Sequence, residues 1–171
     1  MKIKSIKQIE NLEGKRVIMR CDFNVPVKNS KVEDDFKITK SLPTIEYLLK
    51  NQAVVIITTH FGRPNGEVKP EFSLEPVKEE LEKLLDKKIE LFGLDKLTEL
   101  SETKLEDGQV VMIENTRFSP DEKKNTGSFA KELASTAEIF VLDGFAVSHR
   151  PASSVIGVAQ FLPSYAGLLL E

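Results

Sequence analysis

Cysteine, histidine and nucleotide-cradling glycine loops are what this chain has least of: one cysteine and two histidines occur in 171 residues. A lone Cys21 excludes an internal disulfide and suits a reducing compartment. His60 and His149 stand far apart, and with one thiol they exclude a zinc cluster of the familiar spacings. Neither G-x-G-x-x-G nor G-x-x-x-x-G-K-[ST] occurs, and Gly62 and Gly66 do not make such a loop, so the usual backbone cradles for nucleotide phosphates are missing. No apolar run approaches the length of a membrane span, and the opening MKIKSIKQIE has no apolar signal core. The expectation is a soluble, cytoplasmic protein with no membrane partner. Net charge is −3, which disfavours a general nucleic-acid binder. Any basic site has to be built locally, by placement.

What is present is an alternation of apolar strands and amphipathic helices. RVIMRC (16–21), AVVIITT (53–59), KIELF (88–92), QVVMIEN (109–115) and AEIFVLD (137–143) read as strands. Between the first two lies DDFKITKSLPTIEYLLK, where Ile38, Leu42, Ile45, Leu48 and Leu49 share one helical face and Asp34 or Asp35 offers an N-cap. SLEPVKEELEKLLDKK (73–88) predicts a helix capped by Ser73, with Pro76 in the first turn and Val77, Leu81, Leu84 and Leu85 facing inward. A short helix is expected around 95–101 and another over TGSFAKELAST (126–136). The tail from Ser153 reads as partly helical and broken at Pro163. Strands separated by helices of this length imply right-handed βαβ units. The expected fold is a Rossmann-like three-layer α/β/α domain on a mainly parallel sheet, one domain spanning 1–171.

In an open parallel sheet, ligands bind beyond the carboxyl ends of the strands. Asp22 and Asn24 follow the first strand, His60 and Arg63 the second, Arg117 the strand ending near 115, and His149 and Arg150 the last. Arginine presents a planar fork that matches phosphate or carboxylate oxygens two at a time, and forks from separate loops can enclose one phosphate. Asp22 and Asn24 suit a hydroxyl or a substrate end that must be oriented. Pro26 and Pro64 stiffen two of the loops. The joint pattern fits a phosphorylated hydroxy acid. Taken singly, each piece has a plainer reading. A post-strand arginine is ordinarily a surface residue, His60 a hydrogen-bonded loop histidine, Asp22 and Asn24 turn formers, Glu114 and Asn115 fixers of loop backbone, and Cys21 a small core residue.

RCDFNVP, DDFKI, THFGRP, ENTRF and DGFAVSHR, in this order and spacing, resemble the N-terminal domain of phosphoglycerate kinase. That family moves a phosphoryl group reversibly between MgATP and 3-phosphoglycerate, using two Rossmann-like lobes that close over the substrates. The resemblance implies a phosphate grip at His60, Arg63, Arg117 and Arg150, with Asp22 and Asn24 orienting the glycerate end. It places Lys37 where the family has an arginine thought to stabilise the phosphoryl group in flight. It also implies that MgATP or MgADP binds in a C-terminal lobe that this chain does not contain. The segment after His149–Arg150 lacks a histidine that many relatives have there.

Three readings follow. One is the substrate lobe of a phosphoglycerate kinase, inactive by itself and working with a nucleotide lobe. Another is a single-lobe, catalytically inactive anion binder, towards which Lys37 tilts. The last is an α/β domain that keeps its motifs for packing. A missing second lobe further predicts an exposed apolar face around FLPSYAGLLL, open to self-association or to a separate lobe.

Overall fold

The protein is described from a computed structural model, over residues 4–125 and 127–171. Its centre is a sheet of β1 (Arg16–Arg20), β4 (Val54–Thr58), β5 (Glu90–Phe92), β6 (Val110–Ile113), β7 (Ile139–Leu142) and β8 (Ser164–Ala166), ordered β5-β6-β4-β1-β7-β8. Every neighbouring pair is parallel. The helices are α1 (Phe36–Lys50), α2 (Glu75–Leu85), α3 (Leu97–Glu102), α4 (Asp121–Lys124) and α5 (Gly127–Ser135).

The two-residue period of a strand sends alternate side chains to opposite faces, and here it builds two cores. Val17, Met19, Val55, Ile57, Val110, Met112 and Val141 pack with Ile38, Ile45 and Leu48 of α1 and Val77 and Leu81 of α2. Ile18, Ile56, Val111, Ile113 and Phe140 pack on the other side with Leu97 and Leu100 of α3 and Phe129 and Leu133 of α5. A sheet covered on both faces needs strands apolar at every position, which is why AVVIITT reads as an unbroken run. Chain direction explains the layering. The path from β1 to β4 to β5 moves one way across the sheet, and from β5 to β6 to β7 it turns back. Right-handed crossovers then place α1 and α2 on one face and α3 and α5 on the other. The reversal leaves β1, flanked by β4 and β7, with its carboxyl end beside a crevice.

Several expectations need correcting. The first helix begins at Phe36, and the Asp35 side chain makes no cap bond; Asp34 Oδ1 accepts instead from the Phe36 amide at 2.9 Å. Leu42 and Leu49 are half-buried, because the stripe facing the sheet is centred on Ile38, Ile45 and Leu48. The second helix stops at Leu85, where Asp86 turns left-handed with φ 50°, leaving Lys87 and Lys88 outside it. Leu74 takes the cap position, while Ser73 Oγ accepts from the Glu75 amide at 3.3 Å. Leu84 and Leu85 are half-buried near that end. Of the helix expected over 126–136, position 126 lies outside the described residues, Gly127–Ser135 forms α5, and Thr136 lies in the turn that follows.

The tail differs most. Ser153–Gly157 is a π-helical turn, and beyond Pro163 the chain becomes β8, pairing with β7. Ser-Tyr-Ala carries no apolar alternation, so only the pairing reveals the strand. A hairpin of β2 (Val27–Lys28) and β3 (Lys31–Val32) was also not foreseen. Asn29 and Ser30 both take positive φ, the geometry of a type I′ turn. Within FLPSYAGLLL, where an apolar face is expected, Phe161 and Leu169 are exposed at 46% and 40% and Ala166 is buried.

Candidate functional site

The loops leaving β1, β4, β6 and β7 meet at the crevice, and buried polar side chains fix them to one another. Asn115, fully buried after β6, is the hub. Its Oδ1 accepts from the amides of Phe61 and Arg117, both at 3.1 Å, and its Nδ2 donates to the carbonyls of Phe61 (2.6 Å) and Phe72 (2.9 Å). Glu114 accepts from the Ser73 hydroxyl and from the amides of Leu74 and Asn115, each at 2.8 Å. Both residues hold backbone, as their sequence context suggests. Gly62 has φ +58°, and a Cβ there would lie 2.4 Å from the Phe72 ring, so the turn in THFGRP requires glycine. Asn24 Oδ1 accepts from the Gly62 amide at 3.0 Å, which joins the first loop to the second.

His60 is 4% exposed at the end of β4. Its Nδ1 lies 3.0 Å from Nη2 of Arg20, the last residue of β1. Burial, and then the charges of Arg20, Arg117, Arg150 and Lys37, lower its pKa to about 2. The ring is therefore neutral across the physiological range. Arg20 is itself 2% exposed and donates to Ser154 Oγ at 2.8 Å and to the Cys21 carbonyl. Burial lowers its pKa, opposed by the nearby Glu122 carboxylate, and a guanidinium remains charged all the same. Arg117 donates through Nη1 to the Gly62 carbonyl at 2.7 Å. Its pKa falls through burial and then through the like charges of Arg150 and Arg20, with a smaller push from Arg63.

A cavity of about 350 Å³ opens here, walled by Arg20, Arg117, Arg150, Lys123 and His149, with Glu122 the carboxylate at its wall. Four permanent positive charges against one carboxylate, in a chain of net charge −3, make a local field suited to a small, multiply charged anion. The structure thus brings Arg117 and Arg150 to one cavity with His60 behind Arg20. Arg63 is exposed on its loop and reaches Arg117 through its charge. Asp22 and Lys37 face a neighbouring cleft of about 220 Å³, where Lys37 Nζ pairs with Asp22 Oδ2 at 2.9 Å. Asn24 gives its side-chain oxygen to loop backbone. Sequence reasoning missed Arg20 and Glu122. The available signal for Arg20 was a charged residue inside an apolar run that the sheet buries on both faces.

Known proteins resemble this chain over nearly its whole length. The family model described as "Phosphoglycerate kinase" matches residues 6–171. The phosphoglycerate kinase of Fervidobacterium nodosum is 47% identical over 165 residues, covering 94% of this chain and 41% of that protein. That of Thermosipho africanus is 46% identical over 171 residues, covering 98% of this chain and 42% of that protein. Among solved structures, phosphoglycerate kinase from Coxiella burnetii superposes with a TM-score of 0.91 at 40% identity, over 99% of this chain and 42% of that one. The chain therefore spans about two fifths of the length of these relatives. With a family match over nearly its whole length and the same three-layer fold, the chain belongs to the phosphoglycerate kinase family.

Proposed function

We propose that this chain is the N-terminal, substrate-holding lobe of a phosphoglycerate kinase, binding 3-phosphoglycerate or 1,3-bisphosphoglycerate for reversible phosphoryl transfer once a nucleotide lobe joins it. The convergence of Arg117, Arg150 and Arg20 on one cationic cavity carries this reading. Arg117 and Arg150 grip the phosphate oxygens, Arg63 closes over them from its loop, and the His60 ring supplies a neutral donor. The carboxylate end of the acid lies towards Asp22, Asn24 and Lys37. There the Lys37 ammonium neutralises charge on the group being transferred, as catalysis of this kind relies on positioning and charge neutralisation.

Mg²⁺ does not fit the residues present. The cavity wall is cationic, and its carboxylate, Glu122, is already engaged by Thr116 and Ser154. Among the described residues no cluster of three or more His, Cys, Asp or Glu side chains could hold a metal ion. We assign MgATP and MgADP to the part of the relatives that lies outside this chain. A lone, buried Cys21 supports a cytoplasmic setting.

A calorimetric titration with 3-phosphoglycerate tests the reading. Arg117→Ala removes two charge-assisted donors and one anchor of the Gly62 turn, and is expected to weaken binding about 100-fold. No binding by the unaltered chain would leave only a packing role for the motifs. One observation favours a second reading, a single-lobe anion binder without catalysis: Lys37 is held as a point charge on Asp22, where a guanidinium fork could bridge two oxygens at once. In a two-lobed protein, Lys37→Arg is expected to raise kcat with little change in affinity for the acid. An unchanged kcat would show that the lysine serves as well as an arginine and would remove the observation that favours the second reading.

A further inference from the structure

A buried hydrogen-bonded chain starts at Glu122 on the wall of the cationic cavity and ends at His60. Glu122, on α4, is 2% exposed. Its Oε2 accepts from the Ser154 amide at 3.0 Å, and its Oε1 accepts from the Thr116 hydroxyl at 3.2 Å and from the Ser154 hydroxyl. Ser154, in the π-helical turn, is fully buried. A serine hydroxyl has one proton, and here it goes to the carboxylate. The lone pairs of Ser154 Oγ are thus left to accept from Arg20 Nε, which lies 2.8 Å away. Arg20 then donates through Nη2 to His60 Nδ1 at 3.0 Å.

Direction along this chain is fixed by chemistry. A guanidinium has donors only, so Nδ1 of His60 must accept. A neutral imidazole that accepts at Nδ1 carries its proton on Nε2. We propose that Glu122, Ser154 and Arg20 are positioning residues that lock His60 as a neutral Nε2–H donor for the substrate phosphate. The part about phosphate rests on the reading given above; the locked tautomer does not. The four groups come from four separate segments: α4, the π-helical turn, the end of β1 and the loop after β4. A simple neutralising role for Glu122 would need only proximity to the arginines. It would not require a serine hydroxyl inserted between carboxylate and guanidinium, nor an Arg20 aimed at one particular ring nitrogen. The arginines at the cavity remain charged, and a locked neutral His60 adds a donor beside them without adding a charge.

Nitrogen-detected imidazole NMR on the 171-residue chain, with the His60 signals identified by their loss in His60→Gln, tests this directly. The expected result is a single neutral ring protonated at Nε2 between about pH 5 and pH 8, without ligand. In Arg20→Met the ring is expected to populate both tautomers and to begin titrating in that range. Arg20→Lys retains one donor and is expected to keep the Nε2–H form. Ser154→Ala and Glu122→Gln are expected to give partial tautomer mixing, with affinity for 3-phosphoglycerate about 5-fold to 10-fold weaker. Amide spectra check that each variant is folded. A wild-type ring protonated at Nδ1, or one titrating near ordinary pH, overturns the proposal, and so does an unchanged tautomer in a folded Arg20→Met. Should that variant not fold, an unchanged tautomer and affinity in Ser154→Ala overturn it equally. A locked Nε2–H ring in a chain that does not bind 3-phosphoglycerate would sink the functional reading and leave the lock standing. Tight binding with a mobile tautomer would do the reverse.

Discussion

Two buried titratable residues give the molecule opposite responses to pH. His60, with its pKa lowered from 6.5 to about 2, stays neutral in the native state while the unfolded chain takes up a proton. Its contribution is present above pH 6.5 and is lost as pH falls towards about 2. Asp143, at the end of β7, is fully buried, and its Oδ2 has no hydrogen-bond partner among the described residues. Burial raises its pKa from 3.8 to about 6, against the hydrogen bonds it accepts from Thr44 and Leu169. Its favourable contribution is therefore complete below pH 3.8 and is lost as pH rises through about 6. Asp143→Asn keeps the acceptor oxygen and removes the charge. The variant is expected to be more stable than the parent by on the order of 2 kcal/mol at pH 8, with the difference vanishing near pH 4, as read by urea denaturation at both pH values. Asn115→Ala should destabilise far more evenly, by about 2–4 kcal/mol at any pH, because it strands several buried backbone groups at once.

Between elements, Asp143 and Thr44 act as a tie. Thr44 of α1 donates to Asp143 Oδ1 at 2.8 Å and accepts from the Leu168 amide at 2.9 Å, while Asp143 Oδ1 accepts from the Leu169 amide at 3.1 Å. The helix whose first turn carries Lys37, the strand that leads to Arg150 and the segment after β8 are thereby joined. Gly167 stands where a Cβ would fall 2.0 Å from Asp143 Oδ1. Gly167→Ala should push that segment off the tie and accelerate amide hydrogen exchange at positions 167 and 169, with core amides of β1 unaffected. Unchanged exchange would mean that the tie is slack. Legibility in the sequence follows the same boundary. The strands of AVVIITT, QVVMIEN and AEIFVLD were readable because a sheet buried on both faces demands unbroken apolar runs. β8 and the hairpin at Asn29–Ser30 were not, since two- and three-residue strands owe their existence to a partner and not to their own pattern.

For the whole molecule, the loop motifs pointed to the crevice, but the division of labour inside it was hidden. Arg117 and Arg150 could be placed from their positions after strands. Arg20 could not, because a charge within an apolar run gives no hint that Ser154 and Glu122 arrive from far along the chain to receive it. Asn24, read from the sequence as a ligand group, also holds the Gly62 amide through its side-chain oxygen. Phe36 and Phe145 are 61% and 74% exposed beside the Asp22–Lys37 cleft, with Leu169 close by. Such a patch is expected to favour a separate nucleotide lobe or a second copy. Sedimentation showing a monomer at high concentration would exclude the second copy.

The central proposal is that arginines from separate loops grip a single phosphate. Comparing the affinity of 3-phosphoglycerate with that of glycerate, which lacks the phosphate, tests it most directly. The unaltered chain should favour the phosphorylated acid by at least about 100-fold, and the double variant Arg117→Ala/Arg150→Ala should reduce that preference to a few-fold. Equal affinity for the two acids in the unaltered chain, or an undiminished preference in the double variant, would contradict it.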